Sequence, residues 1–94
     1  MRYKYDPREA VVTTSYVMKE RSPIIYAEHA DDGWQFMSQE GTDIKKTMLV
    51  ALEEIIAIDN TIDEIKNIGW GYFAERDYQG DPWRISKIIE EEEE

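Results

Sequence analysis

The chain has 94 residues, no cysteine, one histidine and a formal net charge of −10, from 21 acidic against 11 basic side chains. A length of this order makes one domain, long enough to remove very roughly two-thirds of its unfolded-chain surface from water without covalent staples. The missing cysteines exclude disulfides, thiolate metal sites and cysteine nucleophiles, and a lone histidine argues against a His-based metal centre or a Ser-His triad.

The acidic balance argues against a nucleic-acid ligand, because phosphate binding needs clustered Lys and Arg. No apolar run reaches the ~20 residues of a membrane span, and the first ten residues lack the apolar stretch of a signal peptide, so the expected location is the cytoplasm. The charge is uneven. Residues 1–29 are near neutral, residues 30–75 carry ten acids against three lysines, and Glu90 to Glu94 form a terminal acidic run. Like charges in sequence repel and resist burial, so residues 90–94 are expected to form a solvated, disordered tail on a domain of residues 1–89.

In chain order, Glu9 to Val17 is dense in β-branched residues and reads as a strand, followed after a polar connection by Ser22 to Ala27, as a hairpin. Asp31-Asp32-Gly33 has turn chemistry and precedes a third strand over Trp34 to Ser38. Gln39 to Lys46 reads as a loop, while Thr47 to Val50 fits a strand or the entry to a helix. From Leu49 the period becomes helical, with Leu52, Ile55, Ile56 and Asp59 on one face. Asn60 or Thr61 can cap a second helix, Thr61-x-x-Glu64 matching the capping box, with Ile62, Ile65 and Ile68 as its buried stripe and Gly69 at its end. Alternation from Trp70 to Arg76 predicts a further strand, and Trp83 to Ile85 a last short one after the turn Gln79 to Pro82. Strands and helices are segregated along the chain. The expected class is therefore α+β, a single domain with a largely antiparallel four- to six-stranded sheet packed against two short helices.

Few residues point to chemistry. Gly69-Trp70-Gly71 lacks the third glycine of a dinucleotide fingerprint. Neither Asp31-Asp32 nor the set Asp59, Asp63 and Glu64 has the calcium-loop pattern, and both read as acids favoured at turns and helix starts. His29 is a candidate base or pH-sensitive contact, but with no nucleophile motif nearby it reads as an exposed residue at a strand end. No catalytic, cofactor or metal residue is assigned. The eleven aromatics are the more unusual feature: most must be core, but three tryptophans are hard to bury completely in so small a domain, and partly exposed ones anchor interfaces. Trp34 and Trp83 adjoin the acidic turns at Asp31-Asp32 and Asp81, a pairing of aromatic anchor with negative charge that suits a cationic protein. Asp31, Asp32, Trp34, Asp81 and Trp83 are thus the candidate partner contacts, with Glu53 and Glu54 on the exposed side of the first helix as a second patch.

The opening strand VVTTSYV, the segment SPIIYAEHADDGWQFMS, the helical LEEIIAIDNTI and the segment GWGYFAER occur in an order that resembles immunity protein family thirty-three of bacterial polymorphic toxin systems, formerly a domain of unknown function. The likeness covers residues 12–76, about two-thirds of the chain. Where family members often carry a glycine-acid element after the Trp-x-Phe strand, this chain has Ser38-Gln39-Glu40-Gly41. The resemblance implies a small cytoplasmic protein that binds and neutralises a toxin domain and has no enzyme activity; a nuclease is one candidate target, and neither a cofactor nor a nucleic-acid or membrane partner is expected. Gly33, Trp34, Gly71 and Arg76 are alternatively landmarks that hold the fold, Arg76 through a bidentate carboxylate contact. The competing readings are a small-molecule or peptide-binding module with an aromatic-lined pocket, and a hydrolase using a carboxylate pair. Exposed strand edges leave monomer and homodimer both open.

Overall fold

Apolar and β-branched residues at alternate positions build the sheet in a computed structural model that describes residues 6–30, 33–41 and 43–88. Strand β1 (Ala10–Thr14) runs into a single helical turn, α1 (Ser15–Met18), so the strand expected to reach Val17 stops three residues early. Thr14 and Val17, three apart, are both buried, which a helical turn allows and continued extension does not. Tertiary burial here overrides strand propensity.

The hairpin expected between the first two strands is not formed. Residues 15–25 make too long a connection for a tight turn, and β2 (Tyr26–Ala30) pairs instead with β3 (Gly33–Met37), His29 opposite Trp34 and Ala27 opposite Phe36. β1 lies on the far side of β3 and parallel to it, Val12 level with Gln35. Thr47–Ala51, ambiguous in sequence, is strand β4, which follows a 3-10 turn over Ile44–Lys46 and pairs antiparallel with β1. With β5 (Tyr72–Glu75) and β6 (Arg84–Lys87) the six-stranded sheet has the order β4-β1-β3-β2-β5-β6, antiparallel except at β1-β3. The α+β class expected from the segregation of strands and helices is the class observed.

One face of the sheet carries Val11, Thr13, Trp34, Phe36, Ala27, His29 and Ala74, all buried. Helix α2 (Leu52–Ile58) covers it with Leu52 and Ile55, and the turns that follow add Ile62 and Ile65. The exposed first-turn acids Glu53 and Glu54 suit the α2 N-terminus, and Glu54 Oε2 accepts from the Ala51 N–H at 3.4 Å. The second helix is only a 3-10 segment over Asn60–Glu64, capped not by Thr61 but by Asp59, whose Oδ1 accepts from the Thr61 N–H at 3.0 Å. The expected strand start at Trp70 is a turn that ends at Gly71, whose φ of 89° is open to glycine at little cost.

Among the described residues no helix covers the opposite sheet face. Leu49, Val12, Gln35, Glu28, Phe73 and Ser86 form one row across all six strands. Tyr26 and Phe73 stack there at 5.7 Å, and the Tyr26 hydroxyl donates to Glu28 Oε1 at 2.8 Å. Partial burial, then the Glu28 carboxylate, push the Tyr26 phenol up from 10.0 to about 12. A folded-state value above the unfolded one means that the stabilisation is complete below pH ~10 and is lost as pH climbs from there toward 12. Alkaline titration by tyrosinate absorbance should therefore show one phenol ionising near pH 12, and Glu28→Gln should move that phase down.

Candidate functional site

Arg76 directly follows β5, where continued alternation would carry its side chain toward the covered face, and it is 2% exposed. A buried guanidinium must be neutralised and must place its donors. Nε and Nη2 donate to the Ile24 carbonyl at 3.0 and 2.9 Å, Nη1 donates to Thr61 Oγ1 at 2.9 Å, and Nη2 also pairs with Asp59 Oδ2. The expected bidentate contact is thus corrected: one carboxylate oxygen is engaged, and the fork is completed by a backbone carbonyl from the segment before β2. Asp59 is itself buried, and its Oδ1 also accepts from the Thr61 hydroxyl at 2.7 Å. It is a structural counter-ion here, not a cation ligand beside Asp63 and Glu64. Among the described residues no three His, Asp or Glu side chains are grouped to hold a metal ion.

Trp83 closes this clasp. Its ring lies 4.0 Å from the Arg76 guanidinium, and Nε1 donates to Thr61 Oγ1 at 3.3 Å. One of its faces is therefore consumed internally, leaving it half-buried. Asp81 accepts from the Asp77 N–H at 3.0 Å and pairs with Arg84 Nη1 at 3.4 Å, which holds the turn before β6. Glu53 and Glu54 are exposed as expected, and Asp31 and Asp32 lie outside the described residues.

Trp34 is corrected outright. The β3 alternation that carries Phe36 inward carries Trp34 with it, to 1% exposure, so it offers no surface to a partner. It is the centre of an aromatic column: Phe36 stacks on Trp34 at 5.2 Å, Trp34 on His29 at 4.3 Å with the planes 6° apart, and Trp70 meets His29 edge-on at 6.1 Å. His29, expected to be exposed at a strand end, is fully buried near the end of β2. Its Nδ1 lies 2.9 Å from the Ile68 carbonyl, which only accepts, so Nδ1 carries a proton. The aromatics that might have lined a ligand pocket are packed on one another.

Sequence reading missed Trp70. It is 65% exposed, at the end of the segment 62–70, which buries Ile62 and Ile65 and exposes Asp63 and Glu64, Asp63 pairing with Lys66 Nζ at 2.6 Å. The available signal was its flanking by Gly69 and Gly71: alternation was extended through a glycine pair that interrupts it. The Ser38-Gln39-Glu40-Gly41 loop, left without a role, closes as a turn in which Glu40 accepts from the Ser38 hydroxyl at 2.5 Å and from Ser22 at 3.1 Å. Those bonds, Ser38 first, hold the Glu40 carboxyl below its usual range.

The described residues define a small α+β domain with a locked interior charge, a closed aromatic column and an acidic exterior from which one tryptophan projects. No family model, no curated protein and no solved structure matches the chain. No helix among the described residues is long and apolar enough to cross a membrane.

Proposed function

We propose that the protein is a non-enzymatic, immunity-type binder that neutralises a bacterial toxin domain by covering a basic surface of it. The observation that carries this reading is Trp70, two-thirds exposed at the end of a segment whose solvent side bears Asp63 and Glu64, on a chain of net charge −10. A large exposed amphipathic ring is the kind of anchor found at an interface hot spot, and the negative field of an acidic chain steers a cationic partner toward it. The order of segments that resembles the immunity family supports the same reading. Trp70 replaces Trp34 as the aromatic anchor, Trp34 being core.

The test is affinity capture from bacteria that make such toxins, followed by co-expression of the captured domain with this protein. Wild type should restore growth, and capture should weaken as salt rises. Trp70→Ala should weaken binding by about 2 kcal/mol, roughly thirtyfold in Kd, and Asp63→Lys/Glu64→Lys should lower the association rate. Capture that is indifferent to all three substitutions would place the contact on another face. Failure of wild type to protect against any captured domain would overturn the function itself.

A further inference from the structure

We infer that the free edge of β4 is a self-association surface, pairing antiparallel with β4 of a second copy of this chain about a two-fold axis through Leu49. Among the described residues β4 ends the sheet, bonded to β1 on one side only. An open edge strand is ordinarily guarded by charge, proline or a bulge, whereas TMLVA has neither charge nor proline and pairs regularly with β1 over all five residues. Leu49 is 71% exposed, and Ile44 just before the strand is 88% exposed.

The phase of the ladder selects the axis. The Leu52 N–H donates to the Glu9 carbonyl at 2.8 Å, and in an antiparallel pair hydrogen-bonded positions recur every second residue, so Val50 and Met48 face β1. Thr47, Leu49 and Ala51 therefore direct their backbone groups away from it. The Thr47 N–H is taken by the Ile44 carbonyl and the Ala51 N–H by Glu54. Leu49, in the middle, is left with its N–H and C=O at the open edge. A two-fold axis there sets Leu49 against Leu49 as a hydrogen-bonded pair, Met48 against Val50 and Thr47 against Ala51.

Charge then decides the occupant. Lys45 and Lys46 precede the strand, beside a cleft of about 420 Å3 that Lys19 and Glu20 also line, while Glu53 and Glu54 follow it. Antiparallel pairing about Leu49 brings the lysine end of each copy alongside the glutamate end of the other. The surface is thus complementary to itself, although the whole chain is strongly acidic. It uses Glu53 and Glu54, read from the sequence as a second partner patch, but neither Trp70 nor Asp63 and Glu64, on which the proposed toxin contact rests.

Three measurements test this. Sedimentation of wild type across the micromolar to millimolar range should show a concentration-dependent dimer, and Leu49→Lys, at an exposed position, should weaken it roughly tenfold or more. In this cysteine-free chain, Leu49→Cys should oxidise to a covalent dimer well before Ile85→Cys, which sits on the opposite edge strand, because a hydrogen-bonded antiparallel pair holds its Cα atoms within disulfide reach. Lys45→Glu/Lys46→Glu and Glu53→Lys/Glu54→Lys should each dimerise poorly alone and recover when mixed, since both ends are then complementary. A wild type that stays monomeric throughout, equal cross-linking at the two edges, or a mixture no better than its components would each overturn the proposal.

Discussion

Arg76→Ala is expected to lower the unfolding free energy by about 3–5 kcal/mol, a large share of the ~5–15 kcal/mol that a domain has. The change leaves the Asp59 carboxylate buried without its counter-ion and strips the Ile24 carbonyl of two donors. It also removes the cation under Trp83. Asp59→Ala should cost a similar amount by stranding the guanidinium. The double variant should cost less than the sum of the two, with a coupling of about 0.5–3 kcal/mol, because neither charge is then left alone. Arg76→Lys should recover only part of the loss, since an ammonium can meet Asp59 but lacks the planar fork that reaches Ile24 and Thr61 together. Urea denaturation of the four variants checks this, and a loss under about 1 kcal/mol for Arg76→Ala would mean that the clasp does not hold these three segments together.

Trp34→Ala is expected to cost about 3–5 kcal/mol, because it empties the middle of a column in which Phe36 and His29 both stack on the indole. Trp70→Ala should cost no more than about 1 kcal/mol, losing one edge contact with His29 and little buried area. The same pair of substitutions should rank in reverse for toxin capture by protein that remains folded. Fluorescence checks the assignment independently: Trp70→Ala should shift the emission to the blue by deleting the most exposed indole, and Trp34→Ala should shift it to the red. Equal stability costs at the two positions would contradict the burial difference on which the proposed anchor rests.

The class of fold was legible because local patterns agree with it: two-residue alternation in GWQFM, the switch to helical spacing at Leu52, and β-branched residues in β1. Pairing was not legible. Whether β1 follows β2 or lies beyond β3 depends on where a single helical turn at Ser15 sends the chain, and that turn is stabilised by burying Val17 against residues far along the sequence. Trp34 shows the limit from the other side. Its alternation with Phe36 was visible, but alternation says only that two side chains share a face, not whether helices cover it. The same holds for His29, buried because the opposite strand position is Trp34. The structural role of Arg76 was readable in outline, as a landmark expected to tie the acidic body together through a carboxylate contact. Its partners were not, because Asp59 and Ile24 lie 17 and 52 residues away in the chain.

Composition, charge and hydrophobic period, which are properties of single positions and their near neighbours, determined from the sequence alone that this is one acidic α+β domain without cysteine chemistry. The tertiary structure alone decided which tryptophan faces solvent, which carboxylate meets Arg76 and which strand is left with an open edge. Each of these depends on contacts between segments brought together by the shared burial of apolar surface, a global sum to which no local pattern of residues is equivalent.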